Sequence, residues 1–299
     1  MSEPKRSGFV AIVGRPNVGK STLLNHILGV KLSITSRKPQ TTRHRLLGIH
    51  TQREVQLMFV DTPGMHALGE GSSSAINRYM NQQAIGVLSD VDMCLHVVDA
   101  RGWRDADELV MNHLVSSSSL AICALNKVDR VEPKSKLLPV MKLASEKYPY
   151  EEIIPVSALK NDGLDILVEQ ICRRMPEGPH FYAEDEITDR PTRFLVAEMI
   201  REKVVRQLGD ELPYRTTVAV ESYREESKVT VIDAIIYVEK ESQKGIVIGK
   251  AGKRLKSIGQ SSRQSIENFL QNQVFLNIVV RVRRGWTNER LALAALGYR

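Results

Sequence analysis

Four short stretches carry residue types and spacings that can do chemistry. Gly14-Arg15-Pro16-Asn17-Val18-Gly19-Lys20-Ser21-Thr22 holds the pattern G-x-x-x-x-G-K-S. Glycines at its ends let the backbone curl until successive N–H groups face one concavity, which suits a chain of anionic phosphates. Lys20 reaches the outer phosphates as a point charge, and the Ser21 hydroxyl can be one ligand of an octahedral Mg2+ that keeps most of its waters. Asp61-Thr62-Pro63-Gly64 supplies a carboxylate for a metal-bound water and a glycine N–H that can approach a terminal phosphate with no side chain in the way. Asn126-Lys127-Val128-Asp129 supplies a carboxylate that can accept from guanine N1–H and the exocyclic amine, a donor pair adenine lacks. Asn126 would tie that loop to the phosphate cradle, and the Lys127 stem would cover one face of the base. A backbone N–H in Ser157-Ala158 can reach guanine O6.

The elements around these stretches fit the task. The apolar run Phe9–Val13 reads as a buried strand ahead of the glycines, and Thr22–Leu28 as the helix after them. Leu46–His50 and Val55–Val60 read as a hairpin whose second strand ends at Asp61. Helices near 75–88, 105–114 and 134–147 alternate with strands near 93–98, 120–125 and 153–156, and Asn161-Asp162-Gly163 opens a helix to about Met175. Strands alternating with helices, with every polar motif at a strand's carboxyl end, describe a doubly wound, mostly parallel α/β sheet with one nucleotide site. Lys31–His44, polar and interrupted by Pro39, reads as a long functional loop.

Residues 176–190 are acidic and proline-broken and read as a linker, which divides the chain into domains at 1–175 and 191–299. Beyond it the pattern is helix from Thr192, strands Thr216–Tyr223 and Val229–Val238, a helix near Ser242, a longer helix to Leu270, a strand Val274–Val282 and a closing helix near 288–296. Between the middle helices stands Ile248-Gly249-Lys250-Ala251-Gly252-Lys253-Arg254. A helix–G-x-x-G–helix turn admits a phosphodiester backbone close to its glycines, with Lys250 between them and bases laid on an apolar groove expected from Ile246, Val247, Ile248 and Ile258. Lys253, Arg254, Lys256 and Arg263 extend the positive track. Charge agrees: residues 240–299 hold 12 Lys and Arg against 3 Asp and Glu, while the whole chain is +7. Trp286, Leu296 and Tyr298 are expected to pack rather than stack.

These motifs, in this order, resemble the G-motifs of the TrmE-Era group of small GTP-binding proteins over residues 8–175, and the loop Ile34–Arg45 resembles that of its Era family. The second half resembles a type II KH domain over 192–283, also as in that family. The resemblance implies a P-loop GTPase domain followed by an α+β KH domain, binding GTP or GDP with Mg2+. It carries the switch threonine onto Thr42, with Thr41 a close rival, and makes Lys20, Thr42 and Gly64 the residues acting on the reacting phosphate. Metal ligands would be Ser21, Thr42 and Asp61. At the position where Ras-like enzymes orient water with glutamine stands Met65, so slow hydrolysis is expected; His66 follows it. Relatives use an asparagine like Asn17 to hold K+, which suggests stimulation by K+. The implied partner is single-stranded small-subunit ribosomal RNA near its 3′ end, with a role in small-subunit maturation. The rival reading is an RNA-binding adaptor whose nucleotide is structural.

Composition sets the remaining bounds. A length of 299 residues suggests two domains. With no 18-residue apolar run and no signal-peptide pattern, a cytoplasmic protein is expected. It is taken as a monomer, a state that nothing in the sequence fixes. The resemblance adds peripheral contact with the inner membrane, for which no basic amphipathic helix speaks. Cys94, Cys123 and Cys172 sit far apart in apolar runs and read as reduced thiols.

Overall fold

The computed structural model describes residues 4–36, 38, 41–64, 75–209, 212–296 and 298. Met65 and His66 lie outside them. The chain forms two compact units, the first from the described parts of 1–33, 42–73 and 78–189, the second from those of 34–41, 74–77 and 190–299.

The first unit is built on a six-stranded sheet. Its strands are β1 (Arg6–Val13), β2 (Leu46–Gln52), β3 (Val55–Asp61), β4 (Met93–Asp99), β5 (Ala121–Asn126) and β6 (Glu152–Val156). Their order is β2-β3-β1-β4-β5-β6, parallel throughout except for the β2–β3 hairpin. The helices are α1 (Lys20–Leu28), α2 (Ala75–Ile85), α3 (Asp105–Ser117), α4 (Leu137–Lys147) and α5 (Leu164–Arg173).

Strand alternation explains why the central strands are apolar at nearly every position. Val10 and Ile12 face a core shared with Leu23 and Leu24 of α1 and Leu167 and Ile171 of α5. Ala11 and Val13 face the opposite core, with Val110 and Leu114 of α3. On α5, Leu164, Leu167, Val168 and Ile171 are buried at helical spacing, each contributing about 1.5–3 kcal/mol by leaving water. The stretch read as a linker belongs to this unit through residue 189. Gln56 Oε1 accepts from Phe181 N at 2.8 Å and Tyr182 N at 3.0 Å, and Thr188 Oγ1 donates to Leu47 O at 2.6 Å.

The second unit holds α6 (Thr192–Gln207), β7 (Thr216–Glu225), β8 (Val229–Val238), α7 (Glu241–Ile248), α8 (Lys253–Leu270), β9 (Gln273–Val282) and α9 (Arg290–Ala295). Its sheet runs β7-β8-β9, antiparallel then parallel, and its core joins Val196, Ile200 and Val204 of α6 to Ile232 and Ile236 of β8 and Ile258 and Ile266 of α8. This is the α-β-β-α-α-β order read from the pattern. Trp286 and Tyr298 are buried with ring centroids 6.0 Å apart, as packing residues.

Candidate functional site

In the first unit the polar motifs gather at the carboxyl ends of β1, β3, β5 and β6. After β1 the chain turns through Gly14 at φ +150°, where a Cβ would stand 2.5 Å from the Val97 carbonyl oxygen. Asn17 (φ 63°) and Gly19 (φ 108°) complete a curl that hands directly into α1. At Gly19 a Cβ would collide with the Asn126 side-chain nitrogen, so the glycine is what lets the two loops meet. Lys20 lies in the concavity with its Nζ donating to Gly14 O at 2.8 Å and Arg15 O at 3.1 Å. Burial lowers its pKa to about 8, against the opposing pull of the Asp61 charge.

Pairing of β1 with β3 sets Ile12 beside Asp61, and Thr62 Oγ1 donates to Ile12 O at 2.9 Å. Ser21 Oγ donates to Asp61 Oδ2 at 2.8 Å and lies 2.9 Å from Thr42 Oγ1. Thr41 instead bonds Ser36 Oγ and Lys38 O, both at 2.7 Å, so Thr42 is the threonine that meets Ser21, which in turn bonds Asp61. Asp61 is fully buried, and burial raises its carboxyl pKa against the hydrogen bond from Ser33 and the Lys20 charge. Among the described residues its Oδ1 has no hydrogen-bond partner. A buried carboxylate oxygen left unpaired beside two hydroxyls is the donor set a hard divalent cation takes, so these residues fit Mg2+. Gly64 brings its loop against the phosphate cradle: a Cβ there would lie 3.0 Å from Pro16.

The Asn126–Asp129 loop is tied in from β5. Asn126 Nδ2 donates to Val18 O at 2.8 Å, while its Oδ1 accepts from Ala158 N at 2.9 Å and Lys127 N at 2.8 Å. Lys127 takes φ 71° and its Nζ donates to the Asn17 carbonyl oxygen. Asp129 is half-buried and its Oδ1 accepts from Ser157 Oγ at 2.6 Å. The structure thus brings Gly14–Thr22, Thr42, Asp61–Gly64, Asn126, Lys127, Asp129, Ser157 and Ala158 to one end of the sheet.

Sequence reasoning missed three contributors. Ser33 Oγ donates to Asp61 Oδ2 at 2.7 Å. Asn25 grips the backbone around Ser33, accepting from Leu32 N and Ser33 N at 2.9 and 2.7 Å and donating to Ser33 O at 2.7 Å. Asp99 ends β4 between the two loops, a place that matches Asp61 on β3 and Asn126 on β5 and was legible from that parallel.

In the second unit the G-x-x-G turn joins α7 to α8. Gly249, Ala251 and Gly252 take φ 74°, 49° and 74°, and a Cβ on Gly249 would lie 2.7 Å from Arg254 Cβ. Lys250, Ala251, Lys253, Arg254, Lys256 and Arg263 are exposed, Gly249, Gly252 and Ile248 half-buried. Arg254 Nη1 donates to Ile246 O at 2.5 Å. The expected apolar groove is corrected: Val247 and Ile258 are fully buried in the core, because their helical positions point at β8 and β9, and only Ile246 and Ile248 reach the surface. Within the same unit the described residues of 34–41 bond α6, Thr35 N donating to Glu202 Oε1 at 3.1 Å and Arg206 Nε to Thr35 O at 2.9 Å.

Comparison with known proteins bears on both sites. Residues 9–127 match the family model described as 50S ribosome-binding GTPase, and residues 211–287 match that of the KH domain. The chain is 51% identical to GTPase Era of Pseudomonas aeruginosa (strain LESB58) over 98% of its length and 95% of the relative's. The chain belongs to the Era GTPase family. GTPase Era of Azotobacter vinelandii is likewise 51% identical, over 98% of this chain and 97% of its own. Among solved structures, Era in complex with MgGDPNP and nucleotides 1506-1542 of 16S ribosomal RNA superposes with a TM-score of 0.94 at 39% identity, covering 98% of this chain and 99% of that one. A variant of Aquifex aeolicus Era bound to GDP.AlF4- gives 0.93 at 39% identity, with the same coverage. The expected P-loop GTPase and KH architecture is therefore the architecture of the family.

Proposed function

We propose that residues Gly14–Thr22, Asp61–Gly64, Asn126, Lys127, Asp129, Ser157 and Ala158 hold GTP or GDP, with Ser21, Thr42 and Asp61 as the Mg2+ residues. The protein is a GTPase of the Era family that binds small-subunit ribosomal RNA and serves small-subunit maturation. The observation that carries the nucleotide reading is the run of contacts from Thr42 through Ser21 to Asp61 Oδ2, on a carboxylate whose Oδ1 has no hydrogen-bond partner among the described residues. Bound there, Mg2+ would neutralise charge on the phosphates.

The chain's own residues do the rest. Backbone N–H groups of the Gly14–Gly19 curl and the Lys20 ammonium bind the phosphates and stabilise the charge that develops on them. Gly64 N–H serves the terminal phosphate. Asp129 selects guanine, Lys127 covers the base, and Ser157 and Ala158 serve O6. Hydrolysis is slow, since Met65 offers no group to hold water. Loss of the terminal phosphate releases Thr42 and Gly64. Multiple-turnover hydrolysis above that of Lys20→Ala is the expected result; equal rates would leave only a structural nucleotide.

The GTP-binding domain is residues 1–175, with the described linker residues through 189 packed on it, and the KH-type RNA-binding domain is 191–299. Ile248-Gly249-Lys250-Ala251-Gly252-Lys253-Arg254 and Lys256 form the RNA-binding stretch, supported by the exposed cations around a glycine turn. RNA affinity differs between GDP and a non-hydrolysable GTP analogue; identical affinities would remove the switch. Asn17 holds a K+ that speeds hydrolysis, and equal turnover in Na+ and K+ buffers would reject that role. The protein acts as a monomer in the cytoplasm. Among the described residues no helix is long and apolar enough to cross a membrane. Contact with the inner membrane is peripheral. Vesicle flotation tests it, and protein remaining at the bottom of the gradient would dismiss it.

A further inference from the structure

The sheet order β1-β4-β5 puts the carboxyl end of β4 between the phosphate loop after β1 and the base loop after β5. The residue there is Asp99, whose side chain is 1% exposed. Its Oδ2 accepts from Lys127 Nζ at 2.9 Å and from Arg101 Nη2 at 2.8 Å, and Arg15 Nη2 stands 3.9 Å away. Its Oδ1 accepts from Arg101 Nε at 2.9 Å and Arg101 N at 3.1 Å. Arg15 is gripped from its other side by Asp107, Nε to Oδ2 at 3.0 Å, and Lys127 goes on to the Asn17 carbonyl oxygen. One buried carboxylate thus holds a cation of the base loop and faces a cation of the phosphate loop. Burial alone would raise its pKa; hydrogen bonds from Arg101 and Lys127 outweigh that and keep the carboxyl far below the usual carboxylate range.

We propose that Asp99 is a positioning residue for the guanine nucleotide, which sets how long the nucleotide is retained by locking Lys127 and Arg15 into one arrangement. The inference rests on the nucleotide site assigned above. Without the carboxylate, Lys127 and Arg101 lose their acidic partner, Arg15 keeps only Asp107, and the Lys127 stem loses the anchor that lays it over the base. Retention should suffer more than chemistry, because affinity differences of this kind appear mainly in dissociation.

Release of N-methylanthraniloyl-GDP, followed by stopped-flow fluorescence in Mg2+ buffer, tests this. Asp99→Asn should raise the release rate at least tenfold, with KM for GTP rising more than kcat falls. Asp99→Glu, which keeps the charge at a greater packing cost, should lie nearer to wild type than Asp99→Asn. In a Lys127→Ala background Asp99→Asn should add less than threefold. A release rate for Asp99→Asn within twofold of wild type, or its full effect persisting without Lys127, would overturn the proposal. So would Asp99→Glu releasing faster than Asp99→Asn. If Asp99→Asn is too unstable for kinetics, the shift in Tm produced by GDP is read instead, and a shift as large as that of wild type refutes the role. Wild-type protein that does not hold the probe would refute the nucleotide site itself.

Discussion

Asn126 Nδ2 donates to the Val18 carbonyl oxygen at 2.8 Å, which joins the Asn126–Asp129 loop to the Gly14–Gly19 loop. The bond crosses from the end of β5 to the turn after β1, two strands apart in the sheet, and the absence of a Cβ on Gly19 makes room for it. Truncating Asn126 to Ala leaves the Val18 carbonyl and the Ala158 and Lys127 N–H groups without this partner. GDP affinity, by fluorescence titration, should fall at least tenfold, and the Tm by several degrees, in line with about 1–3 kcal/mol for buried groups left unpaired.

Asp129 allows a test of base choice by exchange of donors and acceptors. An Asn in its place presents one acceptor and one donor, which complements a base carrying N1–H and a 2-carbonyl. Asp129→Asn should lose GDP binding by a factor of 100 or more and gain binding of xanthosine diphosphate. Competition against fluorescent GDP reads both, and unchanged preference for guanine would remove Asp129 from base recognition.

The two threonines separate cleanly. Thr42 reaches Ser21, whereas Thr41 is spent on Ser36 and Lys38. Thr42→Ala should cut Mg2+-dependent GTP turnover tenfold or more, and Thr41→Ala less than threefold. The reverse ranking would move the switch role to Thr41.

Lys250 and Lys253 are exposed at the glycine turn of the second unit. If each neutralises one phosphate of a single strand, Lys250→Ala with Lys253→Ala lowers the slope of log affinity against log salt by about 1.4. An unchanged slope in filter binding across a salt series would place the RNA elsewhere.

His96 gives the pH dependence of stability. It is wholly buried, its Nδ1 lies 2.6 Å from Tyr150 Oη, and burial depresses its pKa to about 3, with a lesser push from the Lys20 charge. Between about pH 3 and the unfolded value near 6.5 the unfolded chain binds the extra proton. Stability from this group is therefore complete above 6.5 and falls with acid, by up to about 1.4 kcal/mol per pH unit. Urea titrations at pH 7 and pH 5 should show a smaller loss for His96→Gln than for wild type.

Most of the first unit was legible because its strands are buried on both faces and its motifs are bounded by glycine. Val229–Val238 matches the observed strand end to end, and the P-loop helix begins at Lys20, two residues before the expected Thr22. Less legible were residues whose role depends on distant partners. The strand-end place of Asp99 is readable but nothing local to it announces Lys127 and Arg15 as its partners, and the apolar character of Val247 and Ile258 cannot say whether they line a groove or fill a core. The proline-broken stretch 176–190 reads as a linker, yet Gln56 and Leu47, more than a hundred residues earlier, supply bonding partners for Phe181, Tyr182 and Thr188.

Asn25 holds the backbone on both sides of Ser33 to α1 through three hydrogen bonds, and Ser33 in turn is bonded to Asp61. The chain therefore leaves α1 from a fixed post. A reporter dye attached at Lys31, upstream of that post, would stay quiet through a catalytic cycle, and one placed just downstream of Ser33 would carry the signal.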